Sequence, residues 1–336
     1  MASNTIAEPM NAIPAKRFGI PDAALPYLDI FFTPDELAFI AHAPLEPFTR
    51  SQVIDALRVA GVSNKNDLGS FLSRAYRRGV VNLADSSNPD PTSPQARFTL
   101  GDFYGRLDIF VITEQKAWQT IPQNARRALD AWYFDAYMDG LDPDPTIPPT
   151  QDRVLSLDEA LAFIDAQTRP VYLNTCDCRS LSGDCGLPTR TCLTYKNGPN
   201  TFCGRGLSQA ITKEEAKDVV RMADKAGLMH TANPNGICNC CGDCCYLFRG
   251  QQRRNSRGVW PIAPHIIKLD ANACIGCGKC AKRCHFGVFA IERDSATGKR
   301  RAVADTSACV GCGICATTCP THALILTDRK QPCPQP

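Results

Sequence analysis

Eight of the 19 cysteines fall in two identical runs. Cys274, Cys277, Cys280 and Cys284 spell C-x2-C-x2-C-x3-C, and Cys309, Cys312, Cys315 and Cys319 repeat that spacing 35 residues later. Thiolates are soft ligands that suit iron–sulfur clusters. A C-x2-C-x2-C loop wraps one cubane and brings three thiolates to three irons. The fourth cysteine of each run lies too far along the chain to join its own loop. Zinc is the competing metal, but zinc sites prefer separated C-x2-C pairs. The offset is an internal repeat, in which Asp270 matches Asp305 and Ile291 matches Leu326. Apolar runs at Val288–Ile291 and Ala323–Leu326 read as strands that close a small pseudo-symmetric unit.

Residues from about 266 to 328 resemble the bacterial two-cluster [4Fe-4S] ferredoxin. In that family the fourth cysteine of each run ligates the other cluster. The resemblance therefore implies one cluster on Cys274, Cys277, Cys280 and Cys319, and a second on Cys309, Cys312, Cys315 and Cys284. Pro320 follows the second run as in the family, whereas His285 stands at that place after the first. That histidine puts a polar group beside a ligand, where it tunes a potential or is a tolerated surface residue.

Ten further cysteines crowd residues 176–245: Cys176, Cys178, Cys185, Cys192, Cys203, Cys238, Cys240, Cys241, Cys244 and Cys245. They form two groups, CDCR…C…TC and ICNCCGDCC. This pattern resembles a cysteine-rich region beside ferredoxin domains in anaerobe-type iron–sulfur proteins, and the resemblance implies one or two further [4Fe-4S] clusters. Zinc or another metal is the alternative. A cubane needs four thiolates, so ten would hold two clusters with two to spare. Neighbours such as Cys240 and Cys241 point in different directions and do not both serve one iron site. Of each adjacent pair, one ligates while the other packs or hydrogen-bonds. Cys203, in a glycine-rich loop, and Cys333, in the Pro-rich tail, are not assigned as ligands. Arg179 directly follows Cys178 and either places positive charge near a cluster or is an ordinary bridging arginine.

These residues need a scaffold. Thr33 caps a helix over 34–42 with Pro34 at its first position. Helices follow over 51–60 and 66–78, then strands over 79–83 and 96–100 joined by a long turn-rich loop. Helix, helix, helix, hairpin resembles a winged helix-turn-helix. Arg74, Arg77 and Arg78 end the third helix, but Asn66 and Asp67 begin it, the wing loop holds two Asp, and no basic stripe crosses the region. Docking or scaffolding is the expected role, and nucleic-acid binding is not. Residues 1–30 are expected to be an arm that either packs on the body or is partly disordered. A helix over 122–139 and the Pro-rich stretch LDPDPTIPPT mark a boundary. Ser156–Glu159 and Thr212–Glu215 are capping boxes. The second opens a helix to about Ala226, ended by Gly227. Between the boxes, 170–174 reads as a strand leading to Cys176.

With 336 residues the chain is long enough for several domains. The fold class expected is α+β and multi-domain: 1–140 winged-helix-like, 151–262 cysteine-rich, and 263–336 ferredoxin-like with a tail. No apolar signal-peptide core and no 18-residue apolar run is present, so the cysteines are expected in a reducing cytoplasm, without a membrane span. Net charge is +3, yet residues 268–336 hold ten Lys/Arg against five Asp/Glu. Lys279, Lys282, Arg283, Lys299, Arg300 and Arg301 would steer this module to an acidic surface on a redox partner protein. No G-x-G-x-x-G after a strand and no G-x4-G-K-[ST] occurs, so no nucleotide cofactor is signalled. No His-based triad or zinc-protease motif appears, and no catalytic residue is assigned. The expectation is a multi-cluster iron–sulfur electron carrier or an electron-transfer subunit of an oxidoreductase. The alternatives are a reductase with an open-site middle cluster and a redox-sensing DNA-binding regulator.

Overall fold

The helix starts are set locally. Thr33, Thr49, Ser156 and Thr212 each accept from the backbone N–H three residues on, while Glu36, Gln52, Glu159 and Glu215 reach back to the cap N–H. Each such box satisfies two otherwise unpaired donors of a helix terminus. The computed structural model describes residues 12–62, 68–85, 90–183, 185–293, 295 and 298–329. Cys333, Asn66 and Asp67 lie outside the described residues. The chain divides into two compact units: Met1–Ala136 with Ser180–Ser182 and Lys196–Ser208, and Tyr137–Arg179 with Gly183–Tyr195 and Gln209–Pro336. The cysteine-rich and ferredoxin-like segments, expected as separate domains, thus share the second unit.

In the first unit, Ala12–Phe18 and Leu28–Phe31 are helices. They pack on the body of the unit, one of the two expected alternatives, because Phe18 and Phe31 are fully buried. Helix Pro34–His42, strand Phe48–Thr49, helices Arg50–Val59 and Leu68–Arg77, and strands Val81–Leu83 and Arg97–Leu100 follow in order. The strands form an antiparallel sheet with Arg97–Leu100 in the middle. Phe31, Phe39, Phe48, Phe98, Phe103 and Phe110 fill the core. Arg78, at the end of the third helix, donates to Glu36 at 2.8 Å, Glu114 at 2.7 Å and the Phe31 carbonyl at 2.9 Å. Buried Arg106 shares Glu114 at 2.8 Å. The edge strand Val81–Leu83 is covered by Lys196–Ser208. Leu83 N–H donates to Asn200 Oδ1 at 2.9 Å, and Asn200 Nδ2 donates to the Leu83 carbonyl at 2.9 Å.

The second unit is built on a six-stranded sheet whose neighbouring pairs are all antiparallel. Its order is Arg153–Leu155, Met229–Asn233, Gly236–Cys240, Cys192–Thr194, Val171–Asn174 and Gln209–Ile211. Helices Leu157–Ala166 and Lys213–Ala226 cover it through Ile164, Ala216 and Val220 against Leu173, Leu193 and Ile237. The Pro-rich stretch is tied down, since Trp260 Nε1 donates to Thr150 Oγ1 at 2.7 Å and Arg254 to the Ile147 carbonyl at 3.0 Å.

The repeat is visible as paired hairpin-like strands. His265–Leu269 pairs with Leu324–Asp328, and Phe289–Arg293 with Arg300–Ala304. Shifting the first strand of each half by 35 residues gives the other half's strand, so each half donates a strand to the other. Among the described residues, no helix is long and apolar enough to cross a membrane.

Candidate metal centres

Crossed strand pairing creates two cavities. One is lined by Cys274, Cys277, Cys280 and Cys319 with Leu269 and Leu324. The other is lined by Cys284, Cys309, Cys312 and Cys315 with Ile267 and Val288. The fourth cysteine of each run therefore faces the loop of the other run. Each loop turns through left-handed glycines, with φ of 64° at Gly276 and 71° at Gly311. A Cβ there would stand 2.2 Å from the Arg300 carbonyl oxygen or 2.1 Å from that of His265. Only glycine permits that approach. Backbone N–H groups point at sulfur: Ala302 to Cys274 Sγ and Gly311 to Cys309 Sγ, both at 3.4 Å. Burial pushes the Cys309 and Cys315 thiols up and Cys312 to about 12. Bare thiolates are thus disfavoured in these apolar cavities, and a positively charged core of iron compensates them. Four sulfurs, apolar walls and N–H···S donors fit a cubane cluster in each cavity.

The middle cysteines sort by strand geometry. Alternate residues of a strand share a face, so Cys238 and Cys240, at the end of Gly236–Cys240, reach the same side. Cys192 opens the adjoining strand. Asn174, its register partner, ends the next and leads into Cys176. Cys178 stands in the helix Asp177–Ser182, and Cys245 caps the helix Tyr246–Arg254. Their thiols close a ring of contacts: Cys176–Cys178–Cys245–Cys240–Cys238–Cys192 and back to Cys176. Directions alternate around it. Cys176, Cys238 and Cys245 are lowered by the thiols on either side, Cys238 to about 6, while Cys178, Cys192 and Cys240 are raised by theirs. Six touching sulfurs cannot all ionise without a cation among them.

A second group leaves the same CNCCGDCC turn in the other direction. Cys185, Cys241, Asp243 and Cys244 bring their ligand atoms within 4.8 Å of one another. Cys244 N–H donates to Cys241 Sγ at 3.3 Å and to Asp243 Oδ1 at 3.0 Å. Ala223, Leu228 and Leu187 wall the group. Each adjacent cysteine pair is split, with Cys240 and Cys245 in the ring and Cys241 and Cys244 outside it.

Arg179 is 2 % exposed. It donates to the Pro188 carbonyl at 3.0 Å, the Asn239 carbonyl at 2.6 Å and Thr191 Oγ1. Burial alone would lower its pKa, but the charges of Cys176, Cys192, Cys240 and Cys241 outweigh it and raise the value. It is a buried cation beside the sulfurs, not a surface residue. Asp177, between two ring cysteines, is pushed up to about 7 by burial and then by Cys176. Neither it nor Asp243 was singled out from the sequence, although Asp243 sits visibly inside a C-x2-C pair.

His285 packs its Cβ on Gly242 and lies 2.7 Å from the Gly227 carbonyl through Nε2. Arg283, expected on a basic face, turns inward. It donates to the Ile314 and Lys225 carbonyls at 3.0 Å and faces Asp224 Oδ2 at 3.4 Å. It thereby neutralises the carbonyl end of helix Lys213–Ala226. Cys203 belongs to the first unit.

Residues 267–326 match the family described as 4Fe-4S dicluster domain. The chain thus carries a dicluster ferredoxin-type domain near its C-terminus, with two [4Fe-4S] clusters and electron transfer as their business. Neither the curated proteins nor the solved structures give a match to this chain.

Proposed function

We propose that the chain is an electron-transfer protein, or the electron-transfer subunit of an oxidoreductase, with a row of three [4Fe-4S] centres in its second unit. The ring of Cys176, Cys178, Cys192, Cys238, Cys240 and Cys245 holds the first, through four of its six sulfurs. The set Cys309, Cys312, Cys315 and Cys284 holds the next, and Cys274, Cys277, Cys280 and Cys319 the last. One observation carries the order. Cys240 and Cys245 of the ring share a single apolar cluster with Cys312, Val310 and Ile314 of the ferredoxin-type domain. The clusters supply one-electron chemistry, and the protein sets spacing, potential and access.

The far end of the row is the exit. Cys277 is exposed there and Ile275 is 64 % exposed. Lys279, Lys282, Lys299, Arg300 and Arg301 are exposed around it, a basic rim suited to an acidic partner protein. The first unit is read as a winged-helix-like scaffold. Its helix–strand–helix–helix–strand–strand order supports that reading. The commitment of Arg78 to Glu36 and Glu114, and the covering of the edge strand by Asn200, favour scaffolding over DNA reading.

The test is anaerobic purification of the full chain with iron and sulfide counting and EPR of the reduced protein. The expected result is about 12 irons, at four per cubane, and three interacting reduced clusters. About eight irons and two clusters would overturn the third centre. Electron delivery to an acidic acceptor should slow as salt rises, because exposed charges are screened over about 8–10 Å. Salt-independent exchange would remove the docking rim.

A further inference from the structure

The second sulfur group differs in kind from the ferredoxin-type cavities. A cubane sets a separate iron behind each thiolate, so its four ligands stand apart around a cavity. One tetrahedral ion needs its ligands close: at a Zn–S distance of about 2.3 Å, neighbouring sulfurs lie about 3.8 Å apart. Cys185, Cys241 and Cys244 with the Asp243 carboxylate converge within 4.8 Å, and this set holds three thiolates where a cubane takes four.

We infer that Cys185, Cys241, Asp243 and Cys244 bind a single Zn²⁺ in a closed Cys3Asp shell, separate from the electron-carrying centres. Three observations and the chemistry of the ion support it. Cys241 and Cys244 have the C-x2-C spacing of structural zinc sites. The Cys244 N–H already points at Cys241 Sγ, at 3.3 Å, holding that sulfur as a ligand is held. Cys241 and Cys244 are buried, whereas Asp243 is exposed and so closes the shell on the solvent side. A d¹⁰ ion accepts a mixed sulfur and carboxylate set in a tetrahedron.

The placement gives the ion a task. Cys185 comes from the loop after the Cys178 helix, and the other three come from the turn after strand Gly236–Cys240. One ion therefore clamps the two segments that carry five of the six ring cysteines, Cys176 and Cys178 before the loop and Cys238, Cys240 and Cys245 around the turn. Gly242, in the middle of the turn, lies against His285, directly after Cys284. The clamp thus sits where the cysteine-rich segment meets the ferredoxin-type loop. Zinc has no accessible redox couple, so it fixes this geometry without exchanging electrons.

The experiment is zinc analysis and zinc K-edge absorption spectroscopy on the anaerobically purified full chain, alongside Cys185→Ser. The expected result is about one zinc per chain, with three sulfurs at about 2.3 Å and one oxygen at about 2.0–2.2 Å. In Cys185→Ser, zinc should fall at least tenfold while iron per chain is unchanged. Iron in place of zinc, an all-sulfur zinc shell, a zinc-free chain, or loss of about four irons in the variant would each overturn the inference. The spectrum of the unaltered chain decides the matter if the variant does not fold. A third cluster can fail in the iron count while the zinc shell stands, so the two readings are separable.

Discussion

Replacing Arg179 by Met should lower the potential of the cluster proposed for the cysteine ring. The guanidinium is buried, hydrogen-bonded to neutral acceptors, and surrounded by the sulfurs of Cys176, Cys192, Cys240 and Cys241. A reduced cluster carries one more negative charge, which the arginine stabilises. With about 7 Å between charges and an effective dielectric of about 20, the interaction is about 2.4 kcal/mol. For a one-electron couple, at about 59 mV per tenfold change, that is about 100 mV. The Arg179→Met potential should therefore become about 100 mV more negative. Arg179→Lys keeps the charge and should stay within about 30 mV of the original. The Asn239 carbonyl and Thr191 Oγ1 are buried, and each loses a donor in the Met variant, so stability falls by about 1–3 kcal/mol apiece. The assay is EPR-monitored redox titration of the full chain, which reads potential independently of yield. A shift under about 20 mV in Arg179→Met, or equal shifts in Met and Lys variants, would refute the electrostatic argument.

Three other outcomes are expected. Cys319→Ala should cost the cluster on Cys274, Cys277 and Cys280 and spare the one on Cys309, Cys312 and Cys315, read by paramagnetic NMR of the ligand cysteines; loss of the second instead means sequential ligation. Gly311→Ala should destabilise the ferredoxin-type domain by about 1–3 kcal/mol or more, since φ is 71° and the new Cβ meets the His265 carbonyl oxygen at 2.1 Å; a melting curve unchanged from the parent would contradict this. Burial lowers the pKa of His230 from 6.5, against the opposing pulls of Asn239 and Asp224. As pH falls below 6.5 the unfolded chain takes up a proton that the folded chain refuses, so stability drops there. Anaerobic denaturant midpoints at pH 7.5 and 5.5 should show the drop, and His230→Asn should reduce it.

The sequence alone determined what depends on short stretches of chain. The C-x2-C-x2-C loops and their 35-residue repeat are local, and the resemblance to two-cluster ferredoxins that they carry implied the crossed arrangement. The capping boxes at Ser156 and Thr212 are equally local, because hydroxyl and carboxylate need only reach three residues. The splitting of Cys240 from Cys241 was half legible, since neighbours in a strand face opposite ways. What met each sulfur was not. The ring exists because sheet order sets Gly236–Cys240 beside Cys192–Thr194 and Val171–Asn174, with Cys240, Cys192 and Asn174 all at one end. That order joins residues about 60 positions apart, and no spacing rule encodes it. Charge was the other blind spot. Arg283 read as a surface cation, but tertiary packing gave it the buried Asp224 carboxylate and helix-end carbonyls. Arg179, with no carboxylate in its hydrogen bonds, is held among sulfurs. An arginine's length lets it reach either solvent or interior, so only the fold decides which.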